Sequence, residues 1–255
     1  MAVIITVANQ KGGVGKTTTV ANLGAALAEL NRRVLLVDLD PQSALSTIIG
    51  LESDQLEESI YNVLVHNTPI EKVIFEIAPN LEAIPANIDL AAAEMELISA
   101  MGRETILKER IDNLRPRYHY IIIDSPPSLG LLTLNALTAC DEVIVPLQAE
   151  YLAMRGMRFL LDMIEHVQQK VNPHLKVRGI LGTMYKSGTI HSEEVMEEIK
   201  SVFGDKVFPV IVKSSIRFAE APVAQLPIIH YQPKHEGAQA YRKLAEVIVN
   251  GEKTS

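Results

Sequence analysis

An α/β fold, a mostly parallel twisted β-sheet with helices on both faces, is predicted by three features of this 255-residue chain. Short unbroken apolar runs recur, helix-patterned segments separate them, and several runs end in carboxylates or glycine-rich turns. Strands buried on both faces read as continuous apolar runs, and strands that alternate with helices build parallel sheets.

The elements follow in order. Val3 to Val7 predicts a strand, and the next helix covers Thr17–Asn31, with Asn31 suited to a left-handed stop. Val34 to Val37 predicts a second strand, ending in Asp38-Leu39-Asp40-Pro41, and Leu81 to Pro85 a third. Residues 90–115 predict a helix, and Tyr120-Ile121-Ile122-Ile123-Asp124 a strand. Glu142 to Leu147 is a strand leading to a helix from Met154 to Val171, which Asn172-Pro173 ends. Gly179 to Met184 is a further strand, Val195, Ile199, Val202 and Phe203 form a helical stripe, and Val207 to Ile211 is a short strand. The last helix, Gly237–Val249, places Tyr241, Leu244, Ala245 and Ile248 on its buried face. In such folds ligands bind beyond the carboxyl ends of the strands, where Asp38, Asp40 and Asp124 fall.

Composition narrows the function. The 47% hydrophobic and 22% charged content is that of an ordinary globular chain. The single cysteine, Cys140, excludes an internal disulfide framework or a cysteine-pair metal site and fits a reducing cytoplasm. Seven histidines without ligand spacing offer no metal site. No run approaches the roughly 18 apolar residues of a membrane span, and no secretory leader precedes the first strand. The net charge of −7 opposes wholesale nucleic-acid binding, yet from Arg178 onward ten Lys and Arg face nine Asp and Glu. A basic patch could therefore sit only in the last third.

Residues 9–19, Asn-Gln-Lys-Gly-Gly-Val-Gly-Lys-Thr-Thr-Thr, join the first strand to the first helix. Small residues there let backbone N–H groups converge on a phosphate, and the helix N-terminus adds favourable charge. The candidate phosphate-binding residues are Lys11, Gly12, Gly13, Val14, Gly15, Lys16, Thr17 and Thr18. Lys16 would reach the β- and γ-phosphates and the Thr17 hydroxyl would bind Mg²⁺. Asp124, at the end of an apolar strand, can hold the Mg²⁺ shell, usually through water.

The loop has Gln10 where the standard phosphate loop has glycine, and a second lysine, Lys11, ahead of Gly12-Gly13. It resembles the deviant Walker A motif of the ParA/MinD ATPases. The resemblance implies a P-loop NTPase architecture, Mg²⁺-dependent hydrolysis of ATP to ADP at a slow intrinsic rate, and an ATP-sandwich homodimer. In that dimer Lys11 touches the phosphates of the partner's ATP. Ser125-Pro126-Pro127-Ser128-Leu129-Gly130 resembles one switch segment of the family, and Asp38-Leu39-Asp40-Pro41-Gln42 the other. By that match Asp40 positions the attacking water and joins Lys11 and Lys16 as a catalytic residue, while Asp38 supports magnesium or the loop. The plainer alternative for both aspartates is a strand-end turn.

Thr133 to Leu137, Val145 to Tyr151 and Ile216 to Pro222 resemble further blocks of the small chromosomal ParA type, often called Soj. One ATPase domain over residues 1–255 is expected, with no N-terminal DNA-reading extension. The resemblance implies non-specific double-stranded DNA as a partner, a nucleoid-associated cytoplasmic location, and a ParB-like activator with a basic N-terminal segment. Matching DNA-binding positions are Lys213 and Arg217, with Lys186, Arg242 and Lys243 as additions; an ordinary solvated face is the alternative. Two departures stand out: Val212-Lys213-Ser214-Ser215 where relatives have Ile-Pro-Arg-Asn, and Gly188 where they carry arginine. The first bears on the adenine pocket and the second on DNA affinity.

Two other functions compete. A MinD-like membrane-positioning ATPase would need an amphipathic C-terminal anchor, which the polar end Asn250 to Ser255 does not supply, so no membrane partner is expected. A metabolic enzyme of the dethiobiotin synthetase type would need a small-molecule acceptor site. Met154, Met157 and Met163, beside Leu160 and Ile164, read as packing, and Cys140 as an inert small hydrophobe.

Overall fold

The computed structural model describes residues 1–52, 55–148, 153–186 and 190–251, excepting the side chains of 153–156 and 190–192. Its frame is an eight-stranded sheet of β1 (Val3–Val7), β2 (Val34–Asp38), β3 (Phe75–Ala78), β4 (Leu81–Ile84), β5 (Tyr120–Asp124), β6 (Glu142–Gln148), β7 (Lys176–Tyr185) and β8 (Val207–Lys213). The order is β3-β4-β2-β5-β1-β6-β7-β8. All pairings are parallel except the antiparallel edge pair β3–β4.

Alternating strand residues feed two cores. Ile4, Leu35, Val37, Ile121, Ile123, Val143 and Val145 face one side. There they meet α3 (Ile60–Val65), α4 (Leu90–Glu96), α5 (Ile106–Ile111), α6 (Leu131–Ala139), α7 (Ala153–Lys170) and α8 (Ile190–Phe203). Ile5, Val7, Leu36, Ile122 and Ile144 face the other, against α1 (Lys16–Glu29), α2 (Ala44–Ile48), α10 (Ile228–Tyr231) and α11 (Glu236–Gly251). Between α8 and α10 lies α9 (Arg217–Val223). Helix α1 lies so close to β2 that a Cβ at Gly24 would stand 2.5 Å from the end of the Leu36 side chain, which would have to shift.

The expected strands and the first and last helices form, with ends moved by a few residues, and Asn31 takes the left-handed conformation (φ 57°). Tyr241, Leu244, Ala245 and Ile248 are buried as the apolar stripe required. Two expectations need correction. Residues 90–115 do not form one helix: the chain leaves α4 through a short 3₁₀ turn and reverses at Gly102 (φ 63°) before α5. Asn135 holds that break from afar, its side chain donating to the Arg103 carbonyl (2.8 Å) and accepting from the Leu107 amide (3.1 Å). Val202 belongs to the helix yet is 57% exposed, because α8 turns it outward at its last turn. The short edge strand β3 was not foreseen. Gly188, Ala149, Glu150 and Tyr151 lie outside the described residues, as does the Met154 side chain.

Candidate nucleotide site

Strands β1 and β5 pair in register, and their connections leave on opposite faces, α1 on one and α6 on the other. A crevice opens at their carboxyl ends, the place where open parallel sheets bind ligands. The loop from Asn9 to Gly15 lines it. Asn9 fixes the entry: its side chain donates to the Pro146 carbonyl (2.7 Å) and accepts from the Lys11 amide (2.9 Å). Gly13 and Gly15 have φ of 72° and 87°, a region L side chains avoid, so the turn demands glycine at both. Gly15 caps α1 without a side-chain bond, leaving the helix's first amides for a ligand. The Val14 carbonyl is held by the Thr183 hydroxyl at 2.8 Å.

Lys16 is 6% exposed, and its Nζ donates to the Lys11 carbonyl at 3.4 Å, folded back over its own loop. Burial holds its pKa below the usual lysine value, against the pull of Asp124 and Asp40. Lys11 points elsewhere, its Nζ donating to Gln148 Oε1 (3.1 Å) at the end of β6. Thr17 and Thr18 follow on the first turn of α1, half-buried.

Asp38 and Asp124 are register partners on β2 and β5 and both are fully buried, but their surroundings differ. Asp38 Oδ2 accepts from the Ser46 amide (3.0 Å) and hydroxyl (2.8 Å), and Oδ1 from the Asp40 amide (3.1 Å). Burial raises its pKa to about 6, opposed by those bonds. Asp124 has no well-formed hydrogen bond on either oxygen. Burial, and then the Asp38 charge, push its pKa well above the usual carboxylate range, while the Thr17 hydroxyl and Lys16 pull it down. A buried carboxylate with two bare oxygens, beside a threonine hydroxyl at a phosphate loop, suits a hydrated divalent cation. The donor set therefore fits Mg²⁺ at Thr17 and Asp124. Asp38 has its oxygens engaged by protein donors, which favours the loop-supporting half of the expectation for it.

Asp40 stands half-buried at the rim, its Oδ1 accepting from the Gln42 amide (3.0 Å) in a turn closed by Ser43 N–H to the Asp40 carbonyl (2.8 Å). On the opposite rim, Ser125 Oγ donates to the Val7 carbonyl (3.0 Å), and Glu94 accepts from the Leu132 amide (3.2 Å) to cap α6. Beside α1 a narrow cleft is lined by Gly15, Thr18, Thr183, Met184, Ser215 and Phe218, with Tyr241 at the back, where its hydroxyl meets Thr19 (3.2 Å). Sequence reasoning missed Thr183, Ser46 and Glu94 and read Tyr241 as core alone. Their roles come from contacts far apart in the chain, and no local pattern marks them.

The candidate DNA residues fall into two groups. Lys186, Lys213 and Arg217 gather where β7 and β8 end, since Tyr185 pairs with Lys213. Lys243 shares a surface depression with Lys213. Lys213, Arg217 and Arg242 are ion-paired, Lys213 with Glu236 (2.9 Å), Arg217 with Glu220 (2.6 Å) and Arg242 with Glu29 (2.6 and 2.9 Å). Exposed pairs of this kind are worth about 0–1 kcal/mol, so DNA phosphates could displace them at Lys213 and Arg217. Arg242, doubly bonded to Glu29 and also donating to the Pro233 carbonyl, is the worst placed. Among the described residues no group of three or more His, Cys, Asp and Glu could hold a metal, and no helix is long and apolar enough to cross a membrane.

A parallel sheet whose first strand ends in a glycine-rich phosphate loop, beside a strand ending in a bare buried aspartate, defines a P-loop nucleotide-binding protein. Residues 2–177 match the family model described as an AAA domain. The chain belongs to the ParA/Soj family of P-loop ATPases. It is 46% identical to sporulation initiation inhibitor protein Soj of Bacillus subtilis, over 98% of this chain and 100% of that one. It is 44% identical to chromosome partitioning protein ParA of Myxococcus xanthus, over 96% and 87%. Among solved structures it resembles cobyrinic acid a,c-diamide synthase from Mycobacterium smegmatis with bound ATP analog and magnesium (TM-score 0.88, 42% identity, 99% and 96% covered). It also resembles the septum site-determining protein MinD of Pyrococcus horikoshii complexed with Mg-ADP (TM-score 0.79, 26% identity, 97% and 96% covered).

Proposed function

We propose that this chain is a DNA-partitioning ATPase of one domain. It dimerises on ATP, binds DNA without sequence preference on the nucleoid, and lets go when a ParB-like partner stimulates hydrolysis. The observation that carries this reading is the second lysine. Lys16 folds back over its own loop onto the Lys11 carbonyl, while Lys11 donates to Gln148 at the end of β6. We read Lys11 as serving the nucleotide of a second copy in a face-to-face dimer. The relatives named Soj and ParA support the same reading.

The chemistry follows from the residues. Amides of the loop and of the first turn of α1 orient the phosphates, and Lys16 swings from the Lys11 carbonyl onto them. Thr17 and Asp124 would hold Mg²⁺, which would supply charge neutralisation to the nucleotide's phosphates. Asp40, on a rigid turn at the rim, orients the attacking water. The cleft beside α1, ending on Tyr241, takes the base. The sheet-edge cations Lys213 and Arg217, with Lys186 and Lys243, meet DNA phosphates in a salt-sensitive way.

The test is the double variant Lys213→Glu, Arg217→Glu. It should lose the gel shift of random-sequence duplex while keeping ATP-driven dimerisation; a normal shift rejects that surface. The printed name of the mycobacterial structure offers a competing synthase reading. Turnover raised by cobyrinic acid and not by DNA with a ParB-like protein would favour it. ATP-dependent flotation with liposomes would favour the MinD-like reading.

A further inference from the structure

The phosphate loop is pinned at two points by strands other than β1, which it follows. At its entry the Asn9 side chain bonds to the Pro146 carbonyl on β6. Near its exit the Thr183 hydroxyl, on β7, donates to the Val14 carbonyl at 2.8 Å across 169 residues of chain. Thr183 is 2% exposed and pairs in register with Gln148, so its hydroxyl is mounted on a paired, buried strand rather than on a loop. The next residue, Met184, holds φ 52°, a conformation that a non-glycine residue keeps only where its surroundings impose it. The stretch between the two pins is open: a Cβ at Gly12 or Gly13 would meet nothing within 4 Å.

The second pin fixes an orientation. In a planar trans peptide the C=O and the N–H point to opposite sides. A Val14 carbonyl drawn to β7 therefore turns the Gly15 amide away from β7, and among the described residues no acceptor takes that amide. It is left for an anion. Glycine at position 15 also makes this peptide easy to flip, because glycine takes either sign of φ at little cost; here it holds φ 87°. A flip would put the carbonyl oxygen where the amide stands and set its partial negative charge against a phosphate. The Thr183 hydroxyl opposes the flip, since a buried carbonyl would lose its partner. We infer that Thr183 is a positioning residue of the nucleotide site, its hydroxyl locking the Val14–Gly15 peptide so that the Gly15 amide faces the phosphates. This rests on the nucleotide reading of the loop.

Shape and hydrogen bond can be separated. The Thr183 methyl lies beside Gly15, where an added Cβ would stand 4.0 Å from it. Valine keeps that shape and loses the donor, whereas serine keeps the donor. Val14-Gly15 is the one Val-Gly pair in the sequence. A full chain carrying ¹³C at valine carbonyls and ¹⁵N at glycine therefore gives a single HNCO peak, from this peptide alone. In the ligand-free parent chain that peak should be sharp. It should move or split in Thr183→Val and stay near the parent position in Thr183→Ser. Calorimetry with ATPγS and Mg²⁺ should show binding at least about tenfold weaker in Thr183→Val and within about threefold of the parent in Thr183→Ser. A split peak in the parent chain, or an unmoved one in Thr183→Val, overturns the lock. A moved peak with parent affinity overturns its role in binding, and failure of serine to restore peak and affinity overturns the part given to the hydroxyl. If the parent chain binds no ATPγS, the nucleotide reading itself falls, while the peak still tests the lock.

Discussion

Asp124→Asn separates the cost of the site from its use. In the ligand-free chain Asp124 places a fully buried carboxylate, without a well-formed hydrogen bond, next to buried Asp38. Such a group is expensive unless paired, and a neutral amide of the same shape relieves the repulsion. The ligand-free variant should therefore melt no lower than the parent chain. Ligand reverses the order. A nucleotide–Mg²⁺ complex at about 100 times its Kd stabilises the folded state by about 2.7 kcal/mol. For a domain of this size each kcal/mol is worth about 2–4 °C, so the parent chain should gain about 5–10 °C. Differential scanning fluorimetry with ATPγS, with Mg²⁺ or with EDTA, reads both effects. In Asp124→Asn the Mg²⁺-dependent part of the gain should vanish, leaving the same shift in Mg²⁺ and EDTA. A ligand-free melting point more than about 5 °C below the parent, or a surviving Mg²⁺ increment, would refute the assignment of Asp124 to the metal shell.

Asp40→Ala should retain ATP affinity, because the Asp40 carboxylate is hydrogen-bonded within its own turn, yet hydrolyse at least about 100-fold more slowly in a phosphate-release assay; unchanged turnover would move water positioning elsewhere. Cys140 is 1% exposed, its thiol directed at the Leu137 carbonyl (3.6 Å) and its pKa pushed up to about 12 by burial. At pH 8 it should stay protonated and unreactive toward a disulfide reagent in the folded chain and react at once in urea; rapid labelling of the native chain would contradict the packing around α6.

The sheet was legible because strands such as Tyr120–Asp124 sit between two cores, buried at every position and apolar up to the final aspartate. The phosphate loop was legible because its chemistry is local: Gly13 and Gly15 mark positive φ, and Lys16 and Thr17 follow at fixed spacing. The break in residues 90–115 was not. The spacing of Leu90, Ala93 and Leu97 continues a helix on paper, and the force that stops it comes from Asn135 on another element. The difference between Asp38 and Asp124 was hidden as well. Both end apolar strands, and only the fold brings Ser46 under one and leaves the other bare. The Arg242–Glu29 pair spans 213 residues and has no trace in local charge, whereas Arg217 and Glu220 stand three residues apart.

Particle mass by light scattering decides the central claim most directly. The Asp40→Ala chain in saturating Mg²⁺ and ATP should travel as two copies, and the further change Lys11→Ala should return it to one while ATP remains bound. A single copy per particle in the Asp40→Ala chain, with nucleotide shown to be bound, would contradict the sandwich that gives Lys11 its role.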